Sequence, residues 1–185
     1  MRTTFRLFLL VTLFLVGFAF APAGPAQAEA PYPPCLPSST QLTGMSDGGA
    51  EWFICVPPAE PVIVPGMPTI PAWNGVLVIY AHGYESPVDP ANWKVPTTPT
   101  FANLTNPVDG SYLPFMLESQ GFAFGATTYR RTGLVAADGV QDVVAVAEAA
   151  RAALAPYLAR IYVAGVSEGG LVTTLATEQR PDLFA

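Results

Sequence analysis

The sequence predicts an α/β protein whose sheet is mostly parallel and carries helices on both faces. Short apolar runs rich in β-branched residues, typical of strands buried on both sides, alternate with segments of helical periodicity. A tight glycine turn joins the last of these strands directly to a helix-like segment. Hydrophobic residues make up 51% of the chain and charged residues 12%, a balance that excludes a disordered protein.

The N-terminus has the three parts of a secretory signal peptide. Arg2 and Arg6 supply positive charge, a mostly apolar run covers 7–21, and the Ala-Gln-Ala of 26–28 provides small residues for cleavage. The apolar run is shorter than the ~20 residues that a membrane-spanning helix needs. We therefore predict cleavage after Ala28, a secreted or periplasmic location, and no membrane attachment after cleavage.

Removal of residues 1–28 leaves residues 29–185, a length that suits one domain with its own core. The loss of Arg2 and Arg6 moves the formal net charge from −6 to −8. This acidic balance argues against nucleic acids and anionic membrane surfaces as partners.

Two cysteines, Cys35 and Cys55, lie in the first part of the mature chain. Oxidising compartments favour pairing, so we predict a disulfide in preference to two buried free thiols. A closed loop of about 20 residues would stabilise the fold by about 3 kcal/mol. Prolines and glycines are frequent in residues 29–50, which we expect to be irregular.

The remaining elements follow from apolar patterning and from the positions of proline and glycine. Strands are predicted at 51–56, at 62–64 within a proline-rich stretch, at 76–81, at 122–128 and at 161–164. Helices are predicted at 111–120, from Asp138 (with Gln141 as its capping partner) to Pro156, and from the glycine turn to about Glu178. Residues 85–110 form a long loop at the mouth of any site, where Trp93 either lines the substrate or only packs the loop.

The chemistry centres on the Gly165-Val166-Ser167-Glu168-Gly169 segment, where a strand passes into a helix. Gly-x-Ser-x-Gly in this context predicts a nucleophile elbow. Side chains at Gly165 and Gly169 would collide as the chain reverses, and Ser167 Oγ would stand exposed above the sheet. The helix N-terminus behind the serine offers backbone N–H groups to an oxyanion.

A nucleophilic serine needs donors for the charge that develops on the carbonyl oxygen. The N–H of Glu168 is the first predicted donor. The second comes from the loop His82-Gly83-Tyr84 after an earlier strand, where the Tyr84 N–H is the first candidate and the Gly83 N–H the next. Loss of one such donor typically costs ~3 kcal/mol of transition-state stabilisation.

The sequence does not identify the base that would take the proton of the serine. His82 is the single histidine of the chain, and we expect its ring to fix its own loop through a hydrogen bond rather than to act as general base. Glu178 and Asp182 follow Ser167 too closely in sequence to serve comfortably as the acid that orients a base.

These motifs resemble the first half of an α/β-hydrolase, in the lipase/esterase and prolyl-oligopeptidase-like superfamily, over about residues 51–185. The resemblance rests on the strand that ends in His82-Gly83-Tyr84, on the elbow, and on the strand–helix order between them. It implies that Ser167 is the acyl nucleophile and that the N–H groups of Tyr84 and Glu168 form the oxyanion hole. In that superfamily the acid and the histidine come after the nucleophile, on later strands.

We therefore expect residues 29–185 to form a partial domain that is truncated after the elbow helix and is inactive, or nearly so, alone. Ending at this point would leave Ile161, Tyr162 and Val163 near an unpaired apolar edge of the sheet.

The implied function is that of a secreted serine hydrolase that transfers acyl groups to water, with carboxylic esters as the first substrate class. A serine peptidase of the prolyl-oligopeptidase-like branch is one alternative, and a non-catalytic exported binding module with the same shape is another. The expected partners are small-molecule esters or peptides, and no cofactor is expected. One histidine and two paired cysteines make no metal-ligand cluster. A dinucleotide or phosphate site is disfavoured because Gly165-x-x-x-Gly169-Gly170 fits neither glycine pattern of such sites.

Three further features each allow two interpretations. Glu168 could favour a cationic substrate group, or could be an acid that the helix dipole favours. Arg130 and Arg131 could bind a substrate carboxylate or belong to a solvated loop. The triplet that begins at Asn103 is a glycosylation acceptor only in a source that glycosylates.

Overall fold

A computed structural model of the chain describes residues 33–66, 68–88, 98–106 and 108–185. The predicted signal peptide and Trp93 lie outside these ranges. The strands are β1 (Thr40–Met45), β2 (Glu51–Val56), β3 (Val76–Ala81), β4 (Ala123–Thr127) and β5 (Arg160–Gly165), and the helices are α1 (Leu113–Glu118), α2 (Ala136–Leu154) and α3 (Glu168–Gln179). None of the helices in the described ranges is long and apolar enough to cross a membrane.

The five strands form one mixed sheet in the order β1-β2-β4-β3-β5. β2 runs antiparallel to both of its neighbours, whereas β3 is parallel to β4 and to β5. The carboxyl ends of β3, β4 and β5 therefore meet at one edge of the sheet, which is where ligands bind in open α/β sheets. The α/β prediction is confirmed, with β2 as the antiparallel exception.

Strand residues alternate between two apolar cores, one on each face of the sheet. On β2, Phe53 and Cys55 enter the core that α1 covers, while Ile54 and Val56 enter the core under α2 and α3. All four side chains are buried. Helices cover both faces, as predicted.

The first strand corrects the prediction that residues 29–50 are irregular. β1 pairs antiparallel with β2 along its whole length, although its sequence, Thr-Gln-Leu-Thr-Gly-Met, is mostly polar. It lies at the edge of the sheet and packs against the core through Leu42, so it needs little apolar patterning. Conversely, the strand expected at 62–64 is reduced to a single bridge between Val62 and Ile70.

Helix α2 begins at Ala136, two residues before the predicted cap. Asp138 lies inside the first turn and pairs with Arg131. The N-cap position belongs to Val135, whose own side chain makes no capping hydrogen bond. The helix start predicted from the capping-box pattern is therefore wrong. The start of α2 is instead held by the Glu168 carboxylate of α3, which accepts the backbone N–H of Val135.

The predicted disulfide joins Cys35 to Cys55, with 5.5 Å between the Cα atoms. It ties the chain before β1 to the carboxyl end of β2. Beside it, the fully buried carboxylate of Glu118 accepts the backbone N–H of Leu36 with both oxygens at 3.2 Å. Burial raises the pKa of Glu118 above its ordinary value.

Strand β5 forms the edge of the sheet among the described strands, where it pairs with β3 alone. The prediction that this edge exposes apolar side chains is confirmed only in part. Tyr162 is 37% exposed, but Ile161 is buried in the same core cluster as Leu183 and Phe184. The N–H of Ala185 also donates to the carbonyl of Ile161 at 2.9 Å, so the residues after α3 cover the start of the edge.

A second buried carboxylate, Asp142 on α2, connects three segments of the chain. It accepts hydrogen bonds from Ser46 Oγ in the β1–β2 turn at 2.9 Å, from the Arg130 N–H at 2.9 Å and from Arg130 Nη2 at 2.6 Å. Its side chain is fully buried, whereas that of Arg130 is 23% exposed. Each oxygen of the carboxylate has a partner, which is the condition under which a buried charge is tolerated.

Replacement of this carboxylate should destabilise the protein strongly. In Asp142→Ala the donors of Ser46 and Arg130 lose their shared acceptor, and we expect a loss of about 3 kcal/mol in the free energy of unfolding by urea denaturation. Asp138→Ala is the matched control on the same helix, because its partner Arg131 is 69% exposed and such pairs contribute under about 1 kcal/mol. Equal losses in the two variants would contradict the assigned role of Asp142.

The raised pKa of Glu118 makes stability depend on pH. The folded state holds the proton on the Glu118 carboxyl more tightly than the unfolded state does. The contribution of this group to the unfolding free energy is therefore complete below the unfolded pKa, near 4.5. It is lost as the pH rises through the higher folded pKa. In Glu118→Gln, the unfolding free energy should decrease less steeply with rising pH above 4.5 than in the wild type. The exposed control Glu178→Gln should keep the wild-type slope. A wild-type slope in Glu118→Gln would show that the pH dependence arises elsewhere.

Candidate active site

Ser167 occupies the turn between β5 and α3 with a strained backbone. Its φ of 54° and ψ of −120° lie in a region that non-glycine residues rarely adopt. The residue is exposed, and its hydroxyl does not cap α3. The strand–turn–helix context and the strained serine together match the geometry that a nucleophile elbow requires.

The two elbow glycines are required by close backbone packing. A Cβ at Gly165 would lie 2.8 Å from the Ala81 carbonyl oxygen and would overlap the Gly169 carbonyl. A Cβ at Gly169 would overlap the Ala81 carbonyl and lie 2.6 Å from the His82 carbonyl oxygen. Both glycines have ordinary backbone angles, since neither has a positive φ. Hence α3 approaches the end of β3 so closely that only a hydrogen fits between the backbones.

The loop after β3 lies beside the serine, as the predicted oxyanion hole requires. A Cβ at Gly83 would be 3.5 Å from Ser167 Cβ and 3.5 Å from the Val166 carbonyl oxygen. Among the described backbone carbonyls, none accepts the N–H of Tyr84. The side chain of Tyr84 is 52% exposed. The N–H groups of Tyr84 and Glu168 remain the predicted oxyanion donors.

His82 is buried beneath this loop, 3% exposed. Its Nδ1 lies 2.6 Å from the carbonyl oxygen of Gly83. A carbonyl can only accept, so Nδ1 carries the proton and the ring ties the loop to itself. Nε2 makes no hydrogen bond to any described residue and lies 3.9 Å from the Glu85 carboxylate. The imidazole is therefore engaged with its own loop and not with Ser167.

Tyr129 supports His82 from below, a role that sequence patterns did not reveal. Its ring stacks on the imidazole with 3.9 Å between the centroids, and its hydroxyl donates to the His82 carbonyl at 3.2 Å. Burial, with the Glu168 carboxylate nearby, raises the pKa of the Tyr129 phenol, which stays neutral and able to donate. Its own φ of 54° is unusual for a tyrosine. In the sequence, only the position of Tyr129 just after β4, the strand next to β3, could have indicated that it lies near the site.

The carboxylate of Glu168 faces the protein and not the solvent. The residue is 6% exposed, and one oxygen accepts the backbone N–H of Val135, at the start of α2. The other oxygen is buried without a hydrogen-bond partner among the described residues. This placement disfavours the interpretation that Glu168 recognises a cationic substrate group. The residue instead locks the elbow to the start of α2.

The two loop arginines are both paired with acids of α2. Arg130 binds Asp142 and Arg131 binds Asp138. These contacts disfavour a substrate-carboxylate site in this loop, because the positive charges are already neutralised within the fold.

The loop after β3 is cross-linked at the carboxyl edge of the sheet, both within itself and to the loop after β4. The carboxylate of Glu85 accepts hydrogen bonds from the N–H and the hydroxyl of Thr100, in the long loop. The carbonyl of Glu85 accepts the N–H of Gly133, in the loop after β4, at 2.8 Å. The surroundings of Ser167 are therefore cross-linked by hydrogen bonds rather than formed by independent loops.

Within the described ranges, one group of side chains has metal-ligand types close together: Cys35, Cys55 and Glu118, with ligand atoms within 4.8 Å of one another. The two sulfurs form the disulfide, so they offer no thiolate to a metal. This group lies in the β1–α1 region and contributes nothing to the elbow.

A methyl group should have opposite effects on stability at two adjacent glycines, Gly169 and Gly170. Gly169→Ala places its Cβ against the Ala81 and His82 carbonyls, and we expect a loss of at least about 3 kcal/mol in unfolding free energy, or no folding. Gly170→Ala meets its nearest atom, the Gly165 carbonyl oxygen, at 3.9 Å, and should keep stability or gain up to about 1 kcal/mol. Thermal denaturation of both variants tests this, and a stable, fully folded Gly169→Ala would contradict the close packing.

The comparisons with known proteins agree with this geometry. Residues 118–185, little more than a third of the chain, match the model of the prolyl oligopeptidase family. They include β4, the elbow and α3. A search of curated proteins finds no match.

Three solved structures are similar to parts of this chain. An acylaminoacyl peptidase in complex with a chloromethyl ketone is 18% identical over 79% of this chain and 22% of its own, with a TM-score of 0.45. Est1E from Butyrivibrio proteoclasticus is 16% identical over 78% of this chain and 47% of its own, with a TM-score of 0.43. A dipeptidyl aminopeptidase IV candidate from Bacteroides ovatus is 15% identical over 79% of this chain and 20% of its own, with a TM-score of 0.45.

The chain thus spans less than half the length of each of these structures, and similarities this distant do not bear on its activity. The family match is more informative, because it covers the segment whose strand–elbow–helix geometry is described above. This match and this geometry together support an α/β-hydrolase superfamily member over part of the chain.

Proposed function

We propose that the protein is a serine hydrolase in which Ser167 is the acyl nucleophile. The single observation that carries the proposal is the exposed serine at a strained turn between β5 and α3, in a backbone packing that only glycines allow. This arrangement presents a hydroxyl at the carboxyl edge of a parallel sheet, with a helix N-terminus behind it.

In the proposed reaction, Ser167 Oγ forms a bond to the carbonyl carbon of the substrate and passes its proton to a base. The negative charge on the carbonyl oxygen is stabilised by the N–H groups of Tyr84 and Glu168. Collapse of this intermediate expels the alcohol or amine as a protonated leaving group, and water then releases the acid from the serine.

Carboxylic esters are the first proposed substrates, because their alkoxide leaving groups demand less assistance than amines. The prolyl oligopeptidase family match favours peptides as the second class. Export is part of the proposal, supported by the basic and apolar N-terminal segment and by the Cys35–Cys55 disulfide.

A fluorophosphonate probe tests the proposal directly. We expect the purified protein to be labelled once, at Ser167, and Ser167→Ala to lose the label. Ser111→Ala is the matched control, since its hydroxyl is engaged by the Asp109 carboxylate. Mass spectrometry of the labelled peptide identifies the residue. Labelling at another serine, or none on folded protein, would contradict the proposal.

Turnover of p-nitrophenyl esters and of peptide p-nitroanilides by the same preparation separates the two substrate classes. Faster Ser167-dependent cleavage of the anilides would favour the peptidase alternative.

A further inference from the structure

The amide of Asn103, in the long loop that follows β3, lies close to Gly83, which itself lies beside Ser167. A Cβ at Gly83 would lie 3.5 Å from Ser167 Cβ and 3.7 Å from Asn103 Nδ2. Because both atoms are in van der Waals range of the same point, they lie at most about 7 Å apart. An acyl group bonded to Ser167 Oγ could therefore reach Asn103 Nδ2.

The backbone of Asn103 is held in a left-handed conformation, with a φ of 57°. Asparagine tolerates this region better than most residues, but the conformation still costs energy that the surroundings must supply. Asn103 is exposed, and its amide makes no hydrogen bond to any residue that the structure describes. The amide of Asn103 therefore has a donor that is not engaged by any described residue, within about 7 Å of Ser167 Cβ.

The neighbours of Asn103 fix it in place on both sides. Before it, Thr100 is bonded to Glu85, and Phe101 packs edge-on against Phe53 with 5.0 Å between the ring centroids. After it, Leu104 is buried in the α1-side core, and its carbonyl accepts the N–H of Leu113 at 2.8 Å. The amide is therefore carried by a turn that is anchored in the core, not by a mobile loop tip.

We propose that Asn103 is a substrate-binding residue of the Ser167 site, whose Nδ2 donates a hydrogen bond to an acceptor oxygen on the acyl part of the substrate. This inference rests on the proposed function of Ser167. The preferred substrates are then acyl groups that carry an oxygen acceptor near the scissile carbonyl, and simple hydrocarbon acyl chains are disfavoured. A neutral donor at this position suits a carbonyl or ether oxygen better than a cationic group.

Two esters with the same chain length test the proposal. The p-nitrophenyl ester of 4-oxopentanoic acid carries a ketone acceptor that the ester of pentanoic acid lacks. Single-turnover release of p-nitrophenolate measures acylation of Ser167 even where later steps are slow. In Asn103→Gly the left-handed backbone is kept and the amide is lost. We expect acylation by the oxo ester to fall about tenfold and acylation by pentanoate to change less than twofold.

Two further variants separate the donor of Asn103 from the shape of its side chain and from glycosylation. Asn103→Asp keeps the shape and replaces the donor by an anion, so the oxo ester should acylate this variant more slowly than it acylates Asn103→Gly. Thr105→Ala removes the glycosylation triplet and leaves the amide, so it should behave as the wild type. Melting temperatures of all variants should agree within a few degrees, because the side chain of Asn103 is exposed.

The outcomes separate the two claims. If Asn103→Gly slows both esters equally, or neither, Asn103 does not bind the acyl oxygen and the inference is wrong, while Ser167 keeps its role. If p-nitrophenolate release by the wild type equals that of Ser167→Ala, the proposed function fails and the inference fails with it.

Discussion

The structure depends on one backbone contact, the approach of Gly169 on α3 to the carbonyls of Ala81 and His82 at the end of β3. The register of the sheet pairs Ala81 with Gly165 across β3 and β5, so both elbow glycines face the same carbonyl. No side chain fits in this space. The elbow turn, the direction of α3 and the position of the His82 loop are consequences of the same contact, and they cannot be changed separately.

Polar groups beneath the site extend this constraint to the neighbouring elements. Tyr129 joins the end of β4 to the His82 carbonyl, and Glu168 joins the elbow to Val135 at the start of α2. Both connections are buried, where hydrogen bonds are stronger than in water and unpaired groups are costly. Ser167 is therefore exposed on top of a rigid base, an arrangement that electrostatic preorganisation of an oxyanion site requires.

The sequence predicted those features that a local pattern determines. The elbow depends on spacing within five residues, and Gly165 and Gly169 have the steric role that their positions indicated. The central strands were recognisable as apolar runs, and the cysteine pair was predicted from the export signal. Local patterns failed where a distant partner decides the structure. β1 is a strand because β2 pairs with it, and α2 starts at Ala136 because Glu168 binds the backbone there.

The supporting residues of the site were harder to predict for the same reason. Tyr129 and Asn103 lie far from Ser167 in sequence and come to it through the order of the strands and the anchoring of a long loop. No catalytic motif marks either residue, and a left-handed φ at an ordinary residue cannot be read from composition. Parallel strands whose carboxyl ends converge do indicate which loops meet, and the residues just after β3 and β4 are the first to inspect.

The most direct measurement is a crystal structure of the protein after reaction with an alkyl fluorophosphonate. We expect a bond from phosphorus to Ser167 Oγ, with the phosphonyl oxygen about 2.7–3.1 Å from the N–H nitrogens of both Tyr84 and Glu168. An unmodified Ser167, or a phosphonyl oxygen turned away from these two groups, would contradict the claim that this turn is a working nucleophile elbow.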